Sequence, residues 1–112
     1  MTTTTNLDAV DAESFDRELA EAKEPVLVDF WATWCSTCRL LAPVLRDLAG
    51  DLQGRVRIVT VDADANSSLA ERLGVRGLPT LLLFVDGQEK LRLSGALGKA
   101  ALLRQLDPWI TS

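Results

Sequence analysis

Apolar and polar positions follow two rhythms along this chain, one of a surface helix and one of a buried strand. Between Asp11 and Ala22, Phe15, Leu19 and Ala22 share a helical face while Asp16, Arg17, Glu18 and Glu21 fall elsewhere, which predicts a helix with a solvated charged side. Pro25 then opens Val26-Leu27-Val28-Asp29-Phe30-Trp31, a nearly unbroken apolar run too short for a helix. Strands of this kind are covered on both faces. Leu41, Val44, Leu45, Leu48 and Leu52 mark a second helix stopping near Gly50 or Gly54, and Pro43 inside it removes a backbone donor and predicts a kink. Val56 to Val61 is a second buried strand.

Further on, Asn66, Ser67 and Ser68 supply helix-capping chemistry, and Ser68 with Glu71 has capping-box spacing for a short helix carrying Leu69 and Leu73. Gly74 and Gly77 bracket a turn into Leu78-Pro79-Thr80, and Leu81 to Val85 is a third apolar strand. Asp86-Gly87 is a hairpin signal, after which Leu91 and Leu93 alternate with Lys90, Arg92 and Ser94, the pattern of an edge strand with one wet face. A last helix runs from about Lys99 through Leu102, Leu103 and Leu106 until Pro108 ends or bends it, and Trp31 and Trp109 read as packing residues. Residues 1–6 form a polar tail, leaving 7–112 as one domain. Strands alternating with helices predict parallel pairing, with the hairpin adding an antiparallel edge, in a three-layer α/β/α sandwich.

The 112 residues, 47% hydrophobic and 25% charged, suffice for one core and are too apolar for intrinsic disorder. Histidine is absent, which excludes a Ser/His/Asp triad, a Cys/His dyad and every His-ligated metal site. A net charge of −4 with dispersed Lys and Arg argues against a nucleic-acid partner. No apolar run approaches the roughly 20 residues needed to cross a bilayer, and Thr2 to Asn6 show neither a basic segment nor an apolar signal core. The expected location is the cytoplasm, without a membrane partner.

Cys35 and Cys38 are the only cysteines, so any intramolecular disulfide joins them. Such a bridge closes a four-residue loop worth only about 2 kcal/mol in chain entropy, which points to chemistry rather than stapling. The pair lies in Trp34-Cys35-Ser36-Thr37-Cys38-Arg39, between a buried strand and an amphipathic helix, where open α/β sheets place their sites. At a helix start, unpaired N–H groups and the positive dipole end favour a thiolate at Cys35, with Cys38 one turn on and within disulfide range.

Here the sequence resembles the thioredoxins. Val26 to Cys35 looks like that family's active-site strand and loop, Val75-Arg76-Gly77-Leu78-Pro79-Thr80 like its proline loop, and Gly95-Ala96-Leu97 like its closing turn. The resemblance implies a central mixed sheet flanked by four helices, and thiol–disulfide exchange as the activity. Cys35 attacks a substrate disulfide, Cys38 resolves the mixed disulfide, and Trp34, Gly77, Leu78, Pro79, Gly95 and Ala96 form the apolar surface for the substrate chain. It also implies a cis peptide at Pro79, a monomer with no bound organic cofactor, disulfide-containing protein substrates, and a flavoprotein reductase using NADPH as electron donor.

Asp29 has two readings, since a carboxylate in a buried run is costly unless protonated or paired. It is either a strand residue facing a wet crevice or bound to backbone donors, or the buried acid that takes the proton from Cys38, its pKa raised by desolvation. Two positions depart from the family pattern. Ser36-Thr37 replaces the usual Gly-Pro, and two hydroxyls able to donate to a Cys35 thiolate predict a more oxidising couple. Thr60 falls where many members have a lysine, which predicts a still higher pKa for Asp29.

Asp62, Asp64 and Asn66 match the first ligand positions of a calcium loop, but Ser67 and Leu73 break the motif. Two thiols are half of a zinc or iron–sulfur site, which only a dimer would complete. The competing function is a binding module that keeps the fold without turnover; a further reading within enzyme chemistry is net disulfide oxidation or isomerisation.

Overall fold

The computed structural model describes residues 7–110, so the expected tail at 1–6 lies outside the described residues. The elements run β1 (Asp8–Ala9), α1 (Phe15–Glu21), β2 (Val26–Trp31), α2 (Ser36–Asp51), β3 (Arg57–Asp62), α3 (Ser67–Arg72), β4 (Thr80–Val85), β5 (Gln88–Ser94) and α4 (Lys99–Ile110). They form a mixed five-stranded sheet in the order β1-β3-β2-β4-β5, the α/β arrangement with four helices that the sequence predicts.

Alternation along the strands divides the core into two layers. Leu27, Ile58, Leu81 and Leu83 pack with Leu41, Leu45 and Leu48 of α2 and Leu102 and Leu106 of α4. Val26, Val28, Phe30, Val59, Val61, Leu82 and Phe84 pack on the other side with Phe15 of α1 and Leu69 and Ala70 of α3. By the same period of two, Asp29 and Thr60 fall on the α2 side, where they are paired in register. Ion pairs tie the helices to this frame: Arg57 bridges Asp8 and Glu18, Arg72 meets Asp16, and Lys99 meets Asp47 and Asp51.

Several sequence expectations are corrected. β4 runs antiparallel to β2, with Phe30 opposite Thr80, where strand–helix alternation predicts parallel pairing. After the short α3 the chain passes through residues 73–79 to the end of β2 from which the cysteines follow, so β4 starts beside Phe30 and runs back along β2. β1 escapes the hydrophobic pattern because its two residues are exposed; it is held by parallel pairing to Val59 and Thr60. The capping box at Ser68 and Glu71 does not form. Asn66 holds the N-cap position of α3, and its side chain instead donates to the Asp62 carbonyl (3.0 Å) and accepts from the Ala12 amide (2.9 Å). Of the two outcomes expected at Pro108, the helix does not end there: α4 runs on to Ile110, and Pro108 and Arg104, four residues earlier, are both exposed, so the carbonyl that loses its donor is open to solvent. Trp109 stays 38% exposed instead of packing.

The Asp86-Gly87 hairpin forms as expected, both residues having positive φ (53° and 79°), the backbone of a tight two-residue turn. β5 is the edge strand, with Leu91 and Leu93 half-buried between exposed neighbours.

Candidate active site

The end of β2 and the start of β4 meet at one end of the sheet, and the cysteines follow directly on β2 there. Cys35 is the N-cap residue of α2 in extended conformation, and its sulfur accepts from the Cys38 amide at 3.2 Å. That amide is one of the donors that a helix start leaves without a backbone partner, and here it meets the sulfur. Cys35 and Cys38 are joined as a disulfide with Cα atoms 5.3 Å apart. Each cysteine is only 4% exposed, and Ala32, half-buried Trp31 and Leu78 pack against the pair.

The tuning residues separate. The Thr37 hydroxyl lies 3.4 Å from the Cys35 sulfur, and since a disulfide sulfur carries no proton, the hydroxyl donates. Ser36 is exposed and makes no such bond among the described residues, so one hydroxyl, not two, faces Cys35.

Asp29 is 3% exposed, and its Oδ1 has no hydrogen-bond partner among the described residues. Backbone donors therefore do not account for that oxygen. Desolvation pushes the carboxyl up to about 7. Asp29, Cys38 and Thr60 line one cleft of about 490 Å³ together with Trp31, Arg39 and Arg46. Thr60 lies where the family resemblance puts it, beside the acid, and no cation contributes to the Asp29 shift.

On the other side, Trp34 is 66% exposed and its Nε1–H donates to Asp64 at 2.9 Å. Trp34 borders a second cleft, of about 440 Å³, with Arg76, Gly77 and Leu78. The Leu78–Pro79 peptide is cis, Pro79 is buried, and its carbonyl accepts from the Gly95 amide at 3.2 Å. Gly95 is thereby joined to the proline loop, while Ala96 is exposed just beyond it. Sequence reasoning missed Asp64 as the anchor of Trp34, because the partners are 30 residues apart and no spacing rule joins them. Asp62, from the same acidic run, accepts from the Asp64 and Ala65 amides at 3.0 and 3.2 Å and shapes the turn.

Comparison with known proteins supplies the deciding observation: a family model described as thioredoxin matches residues 6–108. The chain belongs to the thioredoxin family. It is 43% identical over 99 residues to Thioredoxin 1 of Synechococcus elongatus, covering 88% of this chain and 92% of that one. Thioredoxin of Pseudomonas aeruginosa is 44% identical over 94 residues, covering 84% and 87%. A Mycobacterium leprae protein named bifunctional thioredoxin reductase/thioredoxin is 43% identical over 101 residues, covering 90% of this chain and 22% of that protein. The thioredoxin fold thus brings Cys38 and Asp29 to one side of the disulfide, and Trp34, Gly77 and Leu78 to the other.

Proposed function

We propose that this thioredoxin-family chain reduces protein disulfides by dithiol–disulfide exchange, with Cys35 attacking, Cys38 resolving and Asp29 accepting the Cys38 proton. In the reduced protein, the Cys35 thiolate attacks one sulfur of a substrate disulfide, forms a mixed disulfide and expels the other sulfur as a thiolate. Cys38 gives its proton to Asp29 and attacks the Cys35 sulfur. The Cys35–Cys38 disulfide reforms, the second substrate thiolate leaves, and two electrons have passed to the substrate. The observation that carries this reading is the disulfide at the start of α2 with a buried carboxyl, its Oδ1 without a hydrogen-bond partner among the described residues, in the cleft that Cys38 lines.

Trp34, Gly77, Leu78, Pro79, Gly95 and Ala96 form the surface on which the substrate chain lies. The dithiol itself carries the electrons, so no bound organic cofactor takes part, and the protein works as a cytoplasmic monomer. Its electrons come from a flavoprotein reductase using NADPH. Support for a reductase partner is the Mycobacterium leprae relative, whose name joins a reductase and a thioredoxin in one chain. The Thr37 hydroxyl stabilises the reduced form, which makes the couple more oxidising than in Gly-Pro members; equilibration with glutathione checks this, and a potential at or below the Gly-Pro range contradicts it.

The function is tested by reduction of insulin disulfides with dithiothreitol as electron source. Wild type is expected to accelerate the reaction and Cys35→Ser to fall to the uncatalysed rate. Equal rates for the two proteins would instead favour a binding module without turnover.

A further inference from the structure

The segment carrying Gly77, Leu78 and Pro79 leaves α3 at Leu73, and a side chain from the edge of the sheet holds it there. Arg92, on β5, donates through Nη2 to the Leu73 carbonyl at 2.7 Å and through Nη1 to the Gly74 carbonyl at 3.2 Å. Neither carbonyl accepts a backbone hydrogen bond among the described residues. Glu89, three residues earlier on the same strand, fixes the guanidinium by accepting from Nε at 2.9 Å and from Nη2 at 2.8 Å. The planar fork is thus filled on both sides, carboxylate on one and two loop carbonyls on the other, a geometry that an ammonium does not reproduce. Gly74 has φ +70°, a left-handed conformation at the helix end where the chain turns toward the site. Four residues later, Leu78 packs against the disulfide.

We propose that Arg92 is a positioning residue for protein substrates: it fixes the start of the 73–79 segment and so sets where Gly77 and Leu78 meet the substrate chain. The proposal rests on the reductase reading above. A protein disulfide must lie along this segment to react, whereas a small disulfide needs only access to Cys35. Loss of the clamp therefore weakens the first reaction and spares the second.

The test compares insulin with a small aromatic disulfide, 5,5′-dithiobis(2-nitrobenzoate), as substrates of the full chain. For Arg92→Ala the insulin KM is expected to rise about three- to tenfold with kcat within about twofold, the scale of lost charge-assisted hydrogen bonds that are partly exposed. The rate with the small disulfide stays within about twofold of wild type. Arg92→Lys recovers part of the insulin KM, because an ammonium reaches one carbonyl but not the whole fork. An unchanged insulin KM overturns the proposal, as does an equal fall with both substrates. Should Arg92→Ala not fold, Glu89→Ala decides: it releases the guanidinium and is expected to raise the insulin KM by a smaller factor, and an unchanged KM there overturns the proposal. Failure of the reductase reading looks different, since Cys35→Ser would then reduce insulin as fast as wild type.

Discussion

The two sides of the disulfide are built from different chemistry. The Trp34 side is a surface: an exposed indole, the cis-proline segment and backbone groups, with Asp64 serving only to hold the ring. The Cys38 side is a cleft whose acid is buried, without a partner at Oδ1 and pushed up to about 7. The two clefts share no lining residue. In the exchange proposed above the two environments serve different steps, one admitting a partner chain and one moving a proton while that partner covers the first. Separate walls let each be tuned alone.

The largest expected effect comes from removing the sulfur between the two sides. Cys35→Ser abolishes insulin reduction, whereas Cys38→Ser still attacks and accumulates the mixed disulfide; trapping on non-reducing gels separates them, and an active Cys35→Ser protein breaks the comparison outright.

Next in size is the cost of the buried acid. The folded chain keeps the Asp29 proton up to about pH 7, and the unfolded chain only up to about pH 3.9. Between those values the folded state binds more protons, so stability falls as pH rises through the window, by about 4 kcal/mol in all; it is fully present below the lower value. Denaturant titrations of the oxidised protein from pH 4 to 8 should show this decline, and Asp29→Asn should flatten it. A wild-type profile without that decline would mean that the carboxyl is not desolvated.

A smaller effect sharpens the contrast within the cleft. Thr60→Lys sets an ammonium next to Asp29 in register and is expected to lower its pKa by about 1–3 units, shifting the pH dependence of stability downward. An unmoved profile would place Thr60 outside the electrostatic reach of the acid. Smallest is Thr37→Val, which removes the one hydroxyl at the Cys35 sulfur; the equilibrium with glutathione should shift toward a more reducing couple by about fivefold. No shift would show that this contact does not stabilise the reduced form.

Much of this was legible in the chain because it is written in short-range pattern. β2 and the two core faces follow from apolar spacing, and the hairpin from Asp86-Gly87. Cys35, Cys38 and the burial of Asp29 follow from a motif and an odd charge in a strand. The rest depends on distance in space. β1 exists only as an added strand beside β3, and the direction of β4 depends on where the 73–79 segment delivers the chain beside β2. Asp64 on Trp34 and Arg92 on the 73–74 carbonyls join residues 30 and about 18 positions apart. Asn66 shows the limit of local rules, since its side chain serves Ala12 across the fold instead of the helix it begins.

The division of labour is tested most directly by rapid-quench trapping of the mixed disulfide during a single turnover of reduced protein, comparing wild type with Asp29→Asn. Formation of the intermediate should keep its wild-type rate while its breakdown slows by about a hundredfold, the scale of a lost proton acceptor. Equal slowing of both steps, or of neither, would contradict a cleft that serves Cys38 alone.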